Sequence, residues 1–272
     1  MEIVRLSLIG FVLGITTVIP GLSVGTMAVV FNVYDRLINV IVPNVKKVLA
    51  AWIFWLPMVT GGAAGIIFAS KIFTVLFEIY EVPTYWFFIG VIAGSIPLIY
   101  SKVRNESSAI PSVPSIILCI LGIAVMILMA VLKPGDGTVI YTEFTPRIFG
   151  LFALGGALAA IAMIIPGISG SFLLLVIGLY QSILKAVSDG NIMLLIPVAL
   201  GAGLGLLLSA AFVRFLLSKV PRETYSAVLG LVSGSVIVLY PGGFGNGFGI
   251  IVSVLCLLAG FSASFFMGRQ KK

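Results

Sequence analysis

The chain has 272 residues, 60% of them hydrophobic and only 9% charged, with a mean hydropathy of +1.24. A composition so apolar excludes a soluble enzyme or binding module, leaves nothing over for a separate soluble domain, and predicts an all-α polytopic membrane protein in which residues 1–272 form one integral membrane domain. The net charge of +7 lies in loops between apolar runs and forms no stripe with interleaved aromatics, so its expected partner is the anionic membrane surface and not nucleic acid. Histidine is absent and the two cysteines, Cys119 and Cys256, sit inside apolar runs, so neither a metal site nor a cofactor is expected. Eight segments approach the about 20 apolar residues that a span needs, besides two shorter arms that precede breaks.

Residues 3–42 read as a broken hairpin, its arms at 3–19 and 22–42, and the apolar start runs into Pro20-Gly21 rather than to a signal-peptide cleavage site. A loop carrying Asp35, Arg36, Lys46 and Lys47 follows, then spans at 51–77, 84–101 and 114–132. The loop from Lys133 to Arg147, with Pro134-Gly135-Asp136-Gly137, reads as a link between halves. A second hairpin follows with arms at 147–165 and 168–187, and then spans at 192–217, 224–240 and 248–267.

The halves repeat one another. Ile19-Pro20-Gly21-Leu22-Ser23-Val24-Gly25-Thr26 recurs 146 positions later as Ile165-Pro166-Gly167-Ile168-Ser169-Gly170-Ser171, and each copy has a tyrosine, Tyr34 or Tyr180, 14 residues after its proline. A gapless overlay of 56–100 on 196–240 gives ten identities, among them Pro57/Pro197, Gly61/Gly201, Gly90/Gly230, Thr84/Thr224 and Tyr100/Tyr240. Chance similarity between apolar helices would match Leu, Ile and Val instead. Repeat 1 is therefore placed at 1–133, the linker at 134–146 and repeat 2 at 147–272.

Three spans plus a hairpin give each half an odd number of crossings, whether the hairpin re-enters or spans. The halves then insert with opposite orientation, as two inverted-topology repeats, each a Pro-Gly-broken helical hairpin followed by three transmembrane helices. Alternating the loops across those spans puts twelve basic residues on the side of the N-terminus and four on the other. The positive-inside rule makes both termini cytoplasmic, in a multi-pass protein of the cell membrane. Trp52 and Trp55 at one interface, and Tyr80, Tyr85 and Trp86 at the other, read as aromatic belts. The small-xxx-small pairs Gly61/Gly65, Gly90/Gly94, Gly201/Gly205 and Gly230/Gly234 read as close packing within the chain, a homodimer face or a backbone lining for substrate being the alternatives.

The chemistry concentrates at the breaks. Proline lacks an N–H and glycine is loose, so each Pro-Gly ends one helix and a new helix begins after it. The first N–H groups of that helix have no partner within it, and in hydrocarbon they need one. With Ser23, Gly25 and Thr26 at one tip and Ser169, Gly170 and Ser171 at the other, two facing tips would make an anion site at mid-depth. The plainer reading is that Pro-Gly makes a tight turn and the hydroxyls bond back to backbone.

These same pieces resemble a family, the PopT-type polyprenyl-phosphate translocases: Pro20-Gly21-Leu22-Ser23-Val24-Gly25-Thr26 with Tyr34-Asp35-Arg36, Pro166-Gly167-Ile168-Ser169-Gly170-Ser171 with Gly178-Leu179-Tyr180, and the late span from Thr224 to Ser235. Val24 stands where that family usually has glycine, and Gln181 where it has an acid. The resemblance covers most of the chain. It implies a flippase, not an enzyme, that returns undecaprenyl phosphate or another polyprenyl phosphate from the outer to the cytoplasmic leaflet for envelope synthesis. The implied substrate-binding residues are Pro20, Gly21, Ser23, Gly25, Thr26, Pro166, Gly167, Ser169, Gly170 and Ser171. Arg36 at the inner end and Arg147 at the outer end are candidates to hand the phosphate on, against the plainer reading of snorkelling interface charges. A coupling ion, H+ or Na+, is left open.

Two rivals stay in view. A membrane polyprenyl-diphosphate phosphatase would need a cation against the phosphate and a base or nucleophile nearby, but the arginine position of its motif holds Val24 and Gly170. A small-anion transporter or channel would carry polarity along whole helices, whereas here it is confined to two points.

Overall fold

The computed structural model describes residues 2–18, 23–105, 112–131 and 140–269, with the side chains of 18, 45, 70–78, 105, 172, 188 and 267–269 outside that description. Pro20, Gly21 and the first part of the link between halves, through 139, therefore lie outside the described residues.

Each hairpin begins with a long arm, α1 (Glu2–Val18) in the first and α8 (Pro146–Ile164) in the second. Their second arms were expected as continuous helices, and the structure divides each in two. In the first hairpin α2 (Val24–Val30) is followed by α3 (Tyr34–Val40), and in the second α9 (Gly170–Val176) by α10 (Tyr180–Ser188). The reason is a pair of matched helix stops. Asn32 (φ 54°) and Gly178 (φ 74°), again 146 positions apart, adopt the left-handed conformation. The N–H of Val33 bonds Ala28 O and that of Asn32 bonds Val29 O, as Leu179 bonds Leu174 O and Gly178 bonds Leu175 O. These are the crossed bonds of a Schellman stop, which satisfies the last carbonyls and turns the chain.

A short helix missed in the sequence, α4 (Val45–Ala50), is capped by Asn44 and precedes the long α5 (Trp52–Ile79). Repeat 1 continues with α6 (Glu81–Asn105) and α7 (Val113–Val131). Their counterparts in repeat 2 are α11 (Ile192–Lys219), α12 (Pro221–Leu239) and α13 (Phe248–Arg269). Six of these helices, α5, α6, α7, α8, α11 and α13, are long and apolar enough to cross a membrane, fewer than the eight segments counted in the sequence. The short arms α2, α3, α9 and α10 account for part of the difference, and α12 opens on Pro-Arg-Glu-Thr and carries three serines, which lower its hydropathy. The chain is an all-helical, multi-pass membrane protein.

Packing follows the repeat. Helix α1 lies on α5 as α8 lies on α11, α6 lies on α13 as α12 lies on α7, and α6 meets its own counterpart α12. The glycine pairs make these contacts. Gly61 and Gly65 sit against the backbone of Ser7 and Phe11, Gly201 and Gly205 against Ala153 and Ala157, Gly90 and Gly94 against Leu257 and Phe261, and Gly230 against Cys119. A Cβ at any of them would collide with a carbonyl, so these pairs serve close packing inside the chain.

The two hairpins differ in depth. Ala28, Val29, Val30, Tyr34 and Ile38 of the first are almost fully buried in the main core, whereas the second packs on a smaller cluster of Ile148, Phe152, Leu179, Ala186 and Leu194. Trp86 departs from the belt reading. It is buried, donates its indole N–H to Gly243 O (2.8 Å) and stacks on Phe244 with centroids 3.9 Å apart.

Candidate functional site

The two breaks meet. Ser23, in extended conformation at φ −103° and ψ 126°, caps α2 by accepting the Thr26 N–H on its Oγ (3.5 Å). Its own hydroxyl donates across to Ile165 O (3.4 Å), and Thr26 Oγ1 accepts the N–H of Gly167 (2.7 Å). Tyr34 OH donates to Ile164 O (3.1 Å). Three side chains of the first hairpin thereby satisfy backbone groups freed where α8 stops, which hydrocarbon itself cannot do. Gly25 permits this approach, because a Cβ there would lie 3.1 Å from Ile164 O and Pro166. Gly167 holds φ +96° with the backbone of Leu231 2.8 Å from where a Cβ would be, a place open only to glycine.

The second tip faces a cavity of about 290 Å³. Ser169 and Ser171 share a hydrogen bond (3.0 Å) and line it together with Thr17, Ser23, Val24 and Gly170. Gly170 keeps its backbone close to Ala159 O, where a Cβ would lie at 2.6 Å. Ser23 (3% exposed), Thr26 (1%) and Ser169 (7%) are all buried. The cavity's described lining side chains carry hydroxyls, which can offer hydrogen bonds to an anion. Each break opens a helix of only seven residues, about two turns, so the field at its N-terminus is weaker than that of a full span.

The hydroxyls fit neither sequence reading fully. They do bond to backbone, as the plainer reading has it, but Ser23 and Thr26 bond to the backbone of the other hairpin. Of the proposed residues, Ser23, Gly25, Thr26, Pro166, Gly167, Ser169, Gly170 and Ser171 come together, and Pro20 and Gly21 lie outside the described residues.

The two arginines stand apart from the tips. Arg36 pairs with Glu2 (2.5 Å) and lies over the Phe54 ring (4.4 Å to its centroid). Arg147 is exposed in the first turn of α8, about 25 Å from the other end of that helix by its rise per residue. The sequence reading missed three anchors of the first hairpin. Tyr34 enters the sequence reading through its spacing and the family resemblance, with no hydrogen-bonding role. Asp35 accepts hydrogen bonds from Lys102 Nζ (2.9 Å) and Tyr225 OH (2.8 Å), and Arg214 donates to Ile38 O and Ile41 O (2.5 and 2.6 Å), closing the C-terminal end of α3. An acid or arginine at the edge of an apolar run was the available signal, but it looks the same as an interface charge.

Comparison with known proteins gives a consistent picture. The model of a family described as undecaprenyl phosphate translocase-like matches residues 13–243, a range that contains both breaks. A Staphylococcus aureus protein named polyprenyl-phosphate transporter is 29% identical over 270 residues, covering 96% of this chain and 94% of its own length. A Vibrio cholerae protein of the same name is 27% identical over 246 residues, covering 85% of this chain and 76% of its own. No solved structure matches.

Proposed function

The chain belongs to the undecaprenyl phosphate translocase-like family, and from that premise we propose that it is a flippase returning a polyprenyl phosphate, such as undecaprenyl phosphate, from the outer to the cytoplasmic leaflet of the cell membrane. The observation that carries the reading is the junction of the two breaks, where Ser23 and Thr26 of one hairpin bond the backbone of the other beside a hydroxyl-lined cavity. A lipid phosphate needs a polar route for its head while its prenyl tail stays in lipid. Ser169, Ser171 and the backbone of Gly167 and Gly170 hold the phosphate in passing, and Ser23 and Thr26 exchange their cross-hairpin bonds for it. Arg36 and Arg147 meet the phosphate at the two mouths. The second repeat lies inverted relative to the first with both termini cytoplasmic, a placement supported by the matched helix pairings and by twelve basic residues against four.

The site holds phosphate in passing, a reading supported by the hydroxyls that line the cavity and by relatives named transporters. The test is uptake of labelled polyprenyl phosphate into proteoliposomes, with and without H+ and Na+ gradients, which also identifies the coupling ion. Ser23→Ala combined with Ser169→Ala removes hydrogen bonds to a charged group and lowers transport at least about tenfold. Unchanged transport by the folded double variant removes these hydroxyls from the mechanism. Robust metal-dependent phosphate release from a prenyl diphosphate would turn the reading to an enzyme.

A further inference from the structure

A second cavity, of about 640 Å³, shares the first hairpin as a wall with the one at the breaks. Thr16 of α1 and Met27 of α2 line the larger cavity, while the neighbouring Thr17 and Ser23 line the smaller. Its other walls include Phe87 and Val91 of α6 and Val252 and Cys256 of α13. No charged side chain lines it, and two of its hydroxyls are spent locally, Thr16 on Leu13 O and Thr84 on Tyr80 O (both 2.7 Å). A third, Ser264, is 3% exposed and has no hydrogen-bond partner among the described residues. Packed interiors leave few voids larger than a water molecule, whereas this volume is that of a ligand pocket.

We infer that this cavity holds the head-proximal part of the prenyl chain, so that the carrier is gripped on both sides of its phosphate ester. The inference rests on the polyprenyl-phosphate reading above. Three observations favour a prenyl chain as occupant. The cavity borders the hydroxyl-lined site through adjacent residues of one hairpin. Its lining rejects an ion or a polar head. It runs about 12 Å along α6 from Pro83 to Val91 and about 18 Å along α13 from Val252 to Ser264, which suits a few isoprene units and not a whole carrier. Because the chain is already in hydrocarbon before it binds, its burial here brings no hydrophobic gain. What the cavity adds is packing around branched methyl groups, which favours a prenyl chain over a straight acyl chain and keeps the tail aligned while the phosphate crosses.

The experiment uses a polyprenyl phosphate with a diazirine on a head-proximal isoprene unit, in vesicles of phosphatidylglycerol and phosphatidylethanolamine containing the full chain. Photolabel maps to the lining residues Phe87, Val91, Val252 and Cys256 and is removed by unlabelled undecaprenyl phosphate but not by added phosphatidylglycerol. Filling the cavity by Val252→Trp with Cys256→Trp lowers that competed label at least about tenfold, the loss expected when the dispersion contacts of a few branched methyl groups are forfeited. Unchanged labelling of the folded variant overturns the inference, and so does equal competition by phosphatidylglycerol. Competed label found only on exposed residues such as Leu255 and Leu258 overturns it while leaving the carrier reading intact. Absence of competed label anywhere overturns both. Should the tryptophan variant fail to fold, the label map on the unsubstituted chain still decides.

Discussion

Thr26 and Gly167 show how much the junction depends on single atoms. Thr26 is buried and its hydroxyl oxygen is the acceptor for the Gly167 N–H. Thr26→Val keeps the shape and deletes the acceptor, leaving a buried donor unsatisfied, and lowers stability by about 1–3 kcal/mol. Gly167→Ala combines a left-handed backbone with a clash against Leu231 and destabilises by more than about 1 kcal/mol. Thermal unfolding in detergent reads both, and parental stability in either variant contradicts the hydrogen-bond geometry at the junction. The serines and threonine near Pro-Gly were visible in the sequence because they stand beside a helix break, where backbone groups lose their helical partners. Their partners were invisible. Ile164 and Ile165 contribute carbonyls, which every residue has, and no sequence pattern says which carbonyl lacks its helical bond.

Among the helices, close packing is set by glycine, and neighbours on one helix differ sharply. A Cβ on Gly201 would collide with the backbone of Ala153, whereas nothing lies within 4 Å of one on Gly203. Gly201→Ala should therefore push α8 from α11 and destabilise the fold, while Gly203→Ala should be neutral or stabilising by up to about 1 kcal/mol through helix propensity. Unfolding midpoints of opposite sign check this, and equal effects would contradict the packing of α8 on α11. Span positions were legible to within a few residues: 84–101 became α6 (Glu81–Asn105) and 192–217 became α11 (Ile192–Lys219). The stops inside the second arms were not. Asn32 and Gly178 are the residues that tolerate a left-handed turn, but each sits in a run apolar enough to read as continuing helix.

At the scale of the whole molecule, the matched pairings α1·α5 with α8·α11, and α6·α13 with α12·α7, make the duplication a property of packing as well as of sequence. If the repeats insert oppositely, reporters fused to the two termini both read as cytoplasmic, and a cysteine introduced beside Arg147 reacts with an impermeant outside reagent while one beside Lys219 does not. Opposite readings from the two termini would break the parity argument. The amino-acid sequence by itself determined the membrane class, the span positions and the break after α8, because hydropathy and Pro-Gly chemistry act locally along the chain. Only the tertiary structure decided that Ser23 and Thr26 bond the backbone where α8 stops, that residues of both hairpins line one cavity there, and that Arg36 pairs with Glu2 away from the tips. Those outcomes depend on which carbonyls are left unpaired and which surfaces find each other across more than a hundred residues, and neither is written in any one stretch of sequence.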